Sequence, residues 1–199
     1  MPLLEPRAPA EPLVLFRRWF REAERAGARQ PDAMTLATAG ASGAPSARMV
    51  LFKGLEDGSF VFYSNYDSRK GRDLAANRRA ALVFFWSVTR HQVRVSGAVR
   101  RLSRAASLDY FHSRPRGAQL SALASRQSRV VASRAVLQKA VAELERRHPN
   151  DVPLPADWGG YAVRPDWIEF WEGRPDRLHD RLRYVRKRGG GWRTERLAP

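Results

Sequence analysis

At 199 residues, 43% hydrophobic and 28% charged, the chain has the size and balance of one water-soluble domain with its own core. Cysteine is absent, which excludes disulfides, thiolate metal sites and a cysteine nucleophile, and no apolar run nears the roughly 18 residues that span a bilayer. Lysine and arginine number 36 against 20 acidic residues, a net charge of +16 that brings nucleic acid, anionic membranes and phosphorylated small molecules into view as partners.

Residues 1–10 lack the charged-then-apolar order of a secretion signal; they read as a flexible lead-in, and the expected location is cytoplasmic. The spacing of Leu13, Phe16, Phe20 and Ala23, with Pro12 in the first turn and Gly27 as a stop, predicts a helix over 11–27. From Met34 the period changes to two. Residues 34–39, 46–53 and 59–64, separated by turns, predict a three-strand meander. A short helix capped by Ser68 runs to about Asn77, and strands follow at 81–86 and 92–102. Residues 103–113 predict a helix that breaks at Pro115. Ser133 caps a longer one to Arg147, with Val136, Leu137, Ala140, Val141 and Leu144 as its buried stripe. A proline-rich surface loop covers 148–160. Four strand-like runs follow, at 161–165, 167–173, 181–187 and 192–197, the last two joined by a glycine turn. There is no internal repeat. The expected fold is a single α+β domain over 1–199, mainly an antiparallel sheet closed into a barrel, with peripheral helices.

Several kinds of site are excluded. There is no phosphate loop with its lysine, no G-x-G-x-x-G after a strand, no H-E-x-x-H and no G-x-S-x-G elbow. His91, His112, His148 and His179 are too scattered to suggest a metal, so any redox chemistry calls for an organic cofactor. The arginines spread from Arg7 to Arg196 and form no basic tail. Much of the charge therefore reads as compositional habit and the rest as binding of small anions; neither nucleic acid nor membrane is the expected partner.

Five segments mix cations, amides and aromatics at element ends. In residues 48–53, Arg48 and Lys53 stand at an odd offset, so in a strand they face opposite sides and suit two different anions. The plainer alternative is a buried strand with charged ends. In 63–70 a strand runs into a helix start with Arg69 and Lys70, which suits either a phosphate cradle or an ordinary capped helix. Residues 110–116 and 125–129 supply more guanidinium and amide groups. In 171–181, Arg177 and His179 share a face if extended.

Taken in order, these segments carry Arg-x-Val-Leu-x-Lys, Phe-Tyr-x-Asn-x-x-Ser-Arg-Lys, Gln-Val-Arg-Val-x-Gly, Tyr-Phe-x-Ser-Arg-Pro-Arg, Gln-Ser, Trp-Gly-Gly, Glu-Phe-Trp-x-Gly, Arg-Leu-His-Asp-Arg and a terminal Arg-Leu-x-Pro. Over residues 11–199 this resembles the pyridoxine/pyridoxamine 5′-phosphate oxidase family. The resemblance implies a split β-barrel that binds flavin mononucleotide (FMN) as a homodimer, both subunits lining each flavin. It places FMN contacts on Arg48, Met49, Val50, Leu51, Phe52, Lys53, Tyr63, Ser64, Arg69, Lys70, Gln92, Gln127, Ser128, Trp171 and Arg181. Substrate contacts fall on Lys53, Tyr110, Arg114, Arg177 and His179, the last two acting at the reacting ring; no metal is implied. The implied reaction is oxidation of pyridoxine 5′-phosphate or pyridoxamine 5′-phosphate by O2 to pyridoxal 5′-phosphate, with hydrogen peroxide and, from the amine, ammonia as products. Alternatives on the same scaffold are an oxidase of another compound, such as a phenazine precursor, and a non-catalytic flavin or pyridoxal phosphate carrier. Two features depart from the family. The N-terminal basic segment with its tyrosine is short here, and a phosphate-binding serine is replaced by Ala118. Ser121, where the family has glycine, is the expected substitute if 116–124 is helical.

Overall fold

The computed structural model describes residues 8–199. Of the expected flexible lead-in, residues 1–7 lie outside the described residues. The carbonyl of Pro9 is tied to the fold, accepting the Tyr184 hydroxyl at 2.9 Å.

In chain order the elements are α1 (Pro12–Arg25), β1 (Ala33–Ala39), β2 (Pro45–Leu51), β3 (Leu55–Glu56), β4 (Ser59–Asn65), α2 (Arg69–Ala76), β5 (Arg79–Trp86), β6 (His91–Arg101), α3 (Arg104–Ser113), α4 (Arg116–Ala124), α5 (Arg134–Arg147), β7 (Trp158–Glu172), β8 (Asp180–Arg186) and β9 (Trp192–Arg196). The strands form one antiparallel sheet in the order β2-β1-β5-β6-β7-β4-β3, with β8 on β7 and β9 on β8. β7 is the organising strand. One edge pairs with β6 from Tyr161 to Glu172, while the other pairs first with β4 (Trp158 to Val163) and then with β8 (Trp167 to Glu172). The sheet forks there, which makes the barrel a split one.

The fork coincides with a bulge. Between Ser96 and Gly97 the register shifts, so that Gly97 faces Pro165 and Ser96 faces Trp167. Pro165, which lacks an N–H, is tolerated at such a point because no ladder bond is lost. Gly97 is required by close approach: a Cβ there would stand 1.9 Å from the Arg164 carbonyl oxygen. The sequence expectation of two strands divided at Pro165 is corrected to one 15-residue strand, which also takes in the Trp158–Gly159–Gly160 stretch expected as loop.

The expected meander is also corrected. β1 and β2 form a hairpin, but β4 pairs with β7 and β3. Only the residues just past β2 reach β4: Lys53 N–H donates to Val61 O at 2.8 Å and Val61 N–H to Gly54 O at 3.0 Å, closing the barrel. Local alternation marks strands without naming their distant partners. The core is aromatic. α1 lays Leu15, Phe16, Trp19 and Ala23 over the barrel mouth, and Phe16 meets Phe52, Phe60 and Phe84 edge-on at 5.4, 4.9 and 5.1 Å.

Outside the barrel, α3 and α4 enclose a smaller core of Phe111, Leu120, Val152 and Trp158. The α5 stripe is not buried as expected. Val136 is exposed and Leu137, Ala140, Val141 and Leu144 are half-buried, because the helix packs chiefly on α4 at the edge of this smaller core; Ser133 stands at its N-cap without a side-chain bond. No helix among the described residues is long and apolar enough to cross a membrane.

Candidate functional site

Cap chemistry builds the first group of site residues. Ser68 Oγ accepts the Gly71 N–H at 3.3 Å and donates to Asn65 O at 2.8 Å, fixing the start of α2. Gly71 sits so close to the strand end that a Cβ would lie 2.0 Å from the Tyr66 carbonyl oxygen. This packing turns Lys70 inward, leaving it 8% exposed. Its Nζ is 2.7 Å from Gln127 Oε1, 3.1 Å from Ser64 Oγ and 3.2 Å from Ser68 Oγ, all neutral partners. Across the gap Arg48 donates to Thr38 Oγ1 and Ser46 Oγ, each at 2.7 Å, and lies 3.8 Å from Asp73, which Thr38 also binds. Burial and then the charge of Arg48 push Lys70 down to about 8; burial also lowers Arg48, with Asp73 opposing and Arg69 adding to the effect. A buried lysine and a half-buried arginine repelling each other beside a helix N-terminus, with one carboxylate against the arginine, suit a phosphate dianion. Arg69 is exposed at the first position of α2, and Ser128 follows Gln127 in a left-handed turn (φ 70°).

The rest of 48–53 surrounds this cradle. Met49 and Leu51 point outward, Val50 is half-buried, and the Phe52 ring joins the core. β2 is a sheet edge, so alternate backbone groups lack strand partners and can meet a ligand. Lys53 lies beyond the strand end, its Nζ held 2.9 Å from Asp32.

A second group lies on the outer side of β4 and β7. Tyr63 stacks on Tyr110 with centroids 3.8 Å apart and on Trp158 at 5.6 Å. The Arg114 guanidinium lies over the Trp158 ring at 4.9 Å, yet its Nη1 is buried without an acceptor, and burial lowers its pKa. Leaving such a donor unpaired costs on the order of 1–3 kcal/mol, so the site is incomplete until an anion reaches it. Ser121 does not complete it: α4 is helical as expected, but Ser121 is exposed and borders the groove between α4 and α5.

The third group forms a row. Gln92 is opposite Trp171 and Trp171 opposite Arg181, so the three are cross-strand neighbours on β6, β7 and β8. Arg181 is oriented by Glu169 at 2.9 Å and by the Ala198 carbonyl at 2.9 Å; Glu169, 3% exposed, also takes Arg94 at 3.2 Å. His179 packs against Trp171 at 4.7 Å, and its Nδ1 accepts the Arg174 N–H at 3.2 Å. The neutral ring therefore carries its proton on Nε2, which is left to donate. Arg177 is not extended beside His179 as expected. It ends a single 3-10 turn in which Asp176 and Arg177 both hold positive φ (55° and 60°), and its guanidinium is exposed with no ion pair among the described residues.

The first and third groups stand at opposite ends of β7. Ser64 pairs with Gly159 and Gln92 with Trp171, twelve residues apart along β7. At about 3.3 Å per residue that is roughly 40 Å of strand. Glu169, Thr38, Ser46 and Asp73 were not singled out from sequence. The one local signal was Glu169, a lone acid inside the aromatic run of residues 167–171. Among the described residues no cluster of potential metal ligands occurs.

Comparison with known proteins adds the following. Residues 20–148 match the family described as pyridoxamine 5′-phosphate oxidase, and residues 158–199 match the pyridoxine 5′-phosphate oxidase C-terminal dimerisation region. The chain is 55% identical over 192 residues to the pyridoxine/pyridoxamine 5′-phosphate oxidase of Salinibacter ruber, covering 95% of this chain and 89% of that one. It is 54% identical over 198 residues to that of Rubrobacter xylanophilus, covering 99% and 91%. Among solved structures, PhzG from Burkholderia lata 383 in complex with tetrahydrophenazine-1-carboxylic acid gives a TM-score of 0.93 at 33% identity, covering 100% of this chain and 98% of that one. A pyridoxamine 5′-phosphate oxidase-related, FMN binding protein from Nostoc punctiforme shares the fold, with a TM-score of 0.75 at 18% identity over 96% and 98% of the two chains.

Proposed function

The chain belongs to the pyridoxine/pyridoxamine 5′-phosphate oxidase family, and on that premise we propose that two copies hold FMN between them and oxidise pyridoxine 5′-phosphate or pyridoxamine 5′-phosphate to pyridoxal 5′-phosphate. The observation that carries this reading is the presence of two separate buried cationic sites. One is the Arg48–Lys70 pair beside the start of α2, and the other is the unpaired Arg114 Nη1 against Trp158. A cofactor and a substrate that each bear one phosphate need two such sites.

The donor set fits the flavin. Lys70, Arg48, Ser64 and Gln127 hold its phosphate, and the row Gln92–Trp171–Arg181 of the second copy closes over it. Bound flavin would supply two-electron redox chemistry: a hydride, which carries both electrons, would leave the substrate carbon, and those two electrons with two protons would reduce O2 to hydrogen peroxide. The chain supplies placement. Tyr110, Arg114 and Lys53 hold the substrate phosphate. Arg177 lays a planar guanidinium over the pyridine ring, and His179 Nε2–H donates to a ring substituent. No strong acid or nucleophile is needed from the protein. The homodimer rests on the matched dimerisation region and on the outward apolar side chains Met49 (61% exposed), Leu51 and Phe85 (60% exposed).

The test is a peroxide assay of FMN-loaded protein with each vitamer, phosphorylated and not. Turnover confined to the phosphorylated forms is the expected result. Protein that keeps its flavin and turns over neither phosphorylated vitamer would refute the substrate. Binding of FAD with exclusion of FMN would refute the cofactor.

A further inference from the structure

A cavity of about 370 Å³ lies at the opposite end of α2 from Lys70, between the helix's last turn and the ends of β6 and β7. Its floor is apolar, formed by Leu74 and Val99, and its rim carries Arg78, Arg100 and Arg101. Arg100 is engaged by Glu56 at 3.1 Å and Asp57 at 3.8 Å. Arg78 and Arg101 have no carboxylate partner among the described residues; Arg101 rests over the Tyr66 ring at 4.0 Å. Tyr161, 2% exposed, also lines the cavity; its buried hydroxyl lies beside the Arg101 guanidinium, and its proton has no acceptor among the described residues. Burial pushes that phenol up to about 12, against the opposing pull of nearby Arg101, so it stays a neutral donor.

Tyr161 faces Phe62 across the β4–β7 pair, and Tyr63 faces Gly160. By strand alternation the cavity therefore lies on the other side of this sheet from the Tyr63–Tyr110–Trp158 stack. A buried hydroxyl whose proton lacks an acceptor and two guanidiniums without a carboxylate partner, all around one cavity, call for an acceptor bearing negative charge. The carbonyl end of α2 opposes an anion, but with roughly half an elementary charge against two whole ones. The cavity is far larger than one oxyanion requires, and its floor suits a compact apolar body.

We propose that this cavity is a second ligand site, separate from the flavin and vitamer sites, which binds a small phosphomonoester: phosphate on Arg78, Arg101 and the Tyr161 hydroxyl, organic body on Leu74 and Val99. The experiment is calorimetric titration of FMN-loaded protein with phenyl phosphate and with inorganic phosphate. An Arg114→Ala background removes the main phosphate contact of the substrate site. There, phenyl phosphate binding should persist, should exceed that of inorganic phosphate, and should weaken at least tenfold on adding Arg78→Ala or Tyr161→Phe. Tyr161→Phe keeps the ring and removes a hydroxyl that donates to no acceptor among the described residues, so its unliganded melting temperature should be nearly unchanged, separating lost binding from lost folding. Binding abolished by Arg114→Ala alone, or untouched by both Arg78→Ala and Tyr161→Phe, would overturn the site. Equal affinity for the two phosphates would overturn the apolar half of the assignment.

Discussion

Lys70 is held by three neutral oxygens and faces Arg48, so its charge is available to a ligand and sensitive to pH. With its folded value pushed down to about 8, it is protonated below that pH and neutral above. FMN affinity should therefore be steady between pH 7 and 8 and weaken above it, approaching tenfold per pH unit. Lys70→Arg should flatten the profile; a flat profile in the unaltered protein would remove Lys70 from the phosphate site. Flavin-free protein should show the opposite trend in stability. The unfolded chain binds this proton more tightly, so the contribution of Lys70 to stability rises from about pH 8 toward its ordinary 10.5. Arg177 belongs to the same scale. Its strained backbone and free guanidinium suit a residue that positions substrate, and strain of this kind costs about 1–3 kcal/mol where it is retained. Arg177→Ala should lower kcat about a hundredfold with flavin content unchanged. Loss of flavin with normal turnover on FMN saturation would reverse its assignment.

Two elements set the site's precision, α2 and β7. α2 is short and depends on Ser68 for its start and on Gly71 for its closeness to Tyr66. Gly71→Ala should shift the helix outward, destabilising the protein by about 1–3 kcal/mol and raising the FMN dissociation constant; thermal melts and flavin retention read the two effects. If stability falls and flavin binding does not, the cradle tolerates movement of α2. β7 carries the bulge that lets β4 leave and β8 join, which places Trp158 and Trp171 at opposite ends of one strand. α4 is the weak point on the substrate side, since Ala118 offers no hydroxyl and Ser121 faces the α5 groove. Ala118→Ser should lower the vitamer KM about tenfold, and Ser121→Ala should leave it unchanged.

At the scale of the molecule, the proposed site takes its two halves from opposite ends of β7 in two copies of the chain, and the outward apolar residues of β2 and β5 offer the second copy a surface. Phe85→Glu should therefore shift the protein toward monomer in sedimentation and release flavin in the same range of protein concentration. A monomer that retains flavin would show that one chain suffices.

The helices at 12–25, 69–76 and 104–113 were legible because apolar spacing, Ser68, Ser103 and Gly27 are local signals read over a few residues. The family resemblance was legible for a similar reason: ligand-binding residues cluster in short segments whose order survives in sequence. What the sequence by itself determined was thus most of the helices and strands, the antiparallel character of the sheet and the family to which the chain belongs. The tertiary structure alone decided that β4 pairs with β7 in place of β2, that Pro165 bulges a strand without ending it, and that the α5 stripe is only half-buried. It also decided which groups neutralise which: Asp73 with Arg48, Asp32 with Lys53, Glu169 with Arg94 and Arg181, and no acceptor for Arg114 Nη1. Strand pairing and charge pairing both join residues dozens of positions apart. No local pattern encodes that choice; only the packed core, with its penalty for every unpaired buried group, makes one set of partners better than the rest.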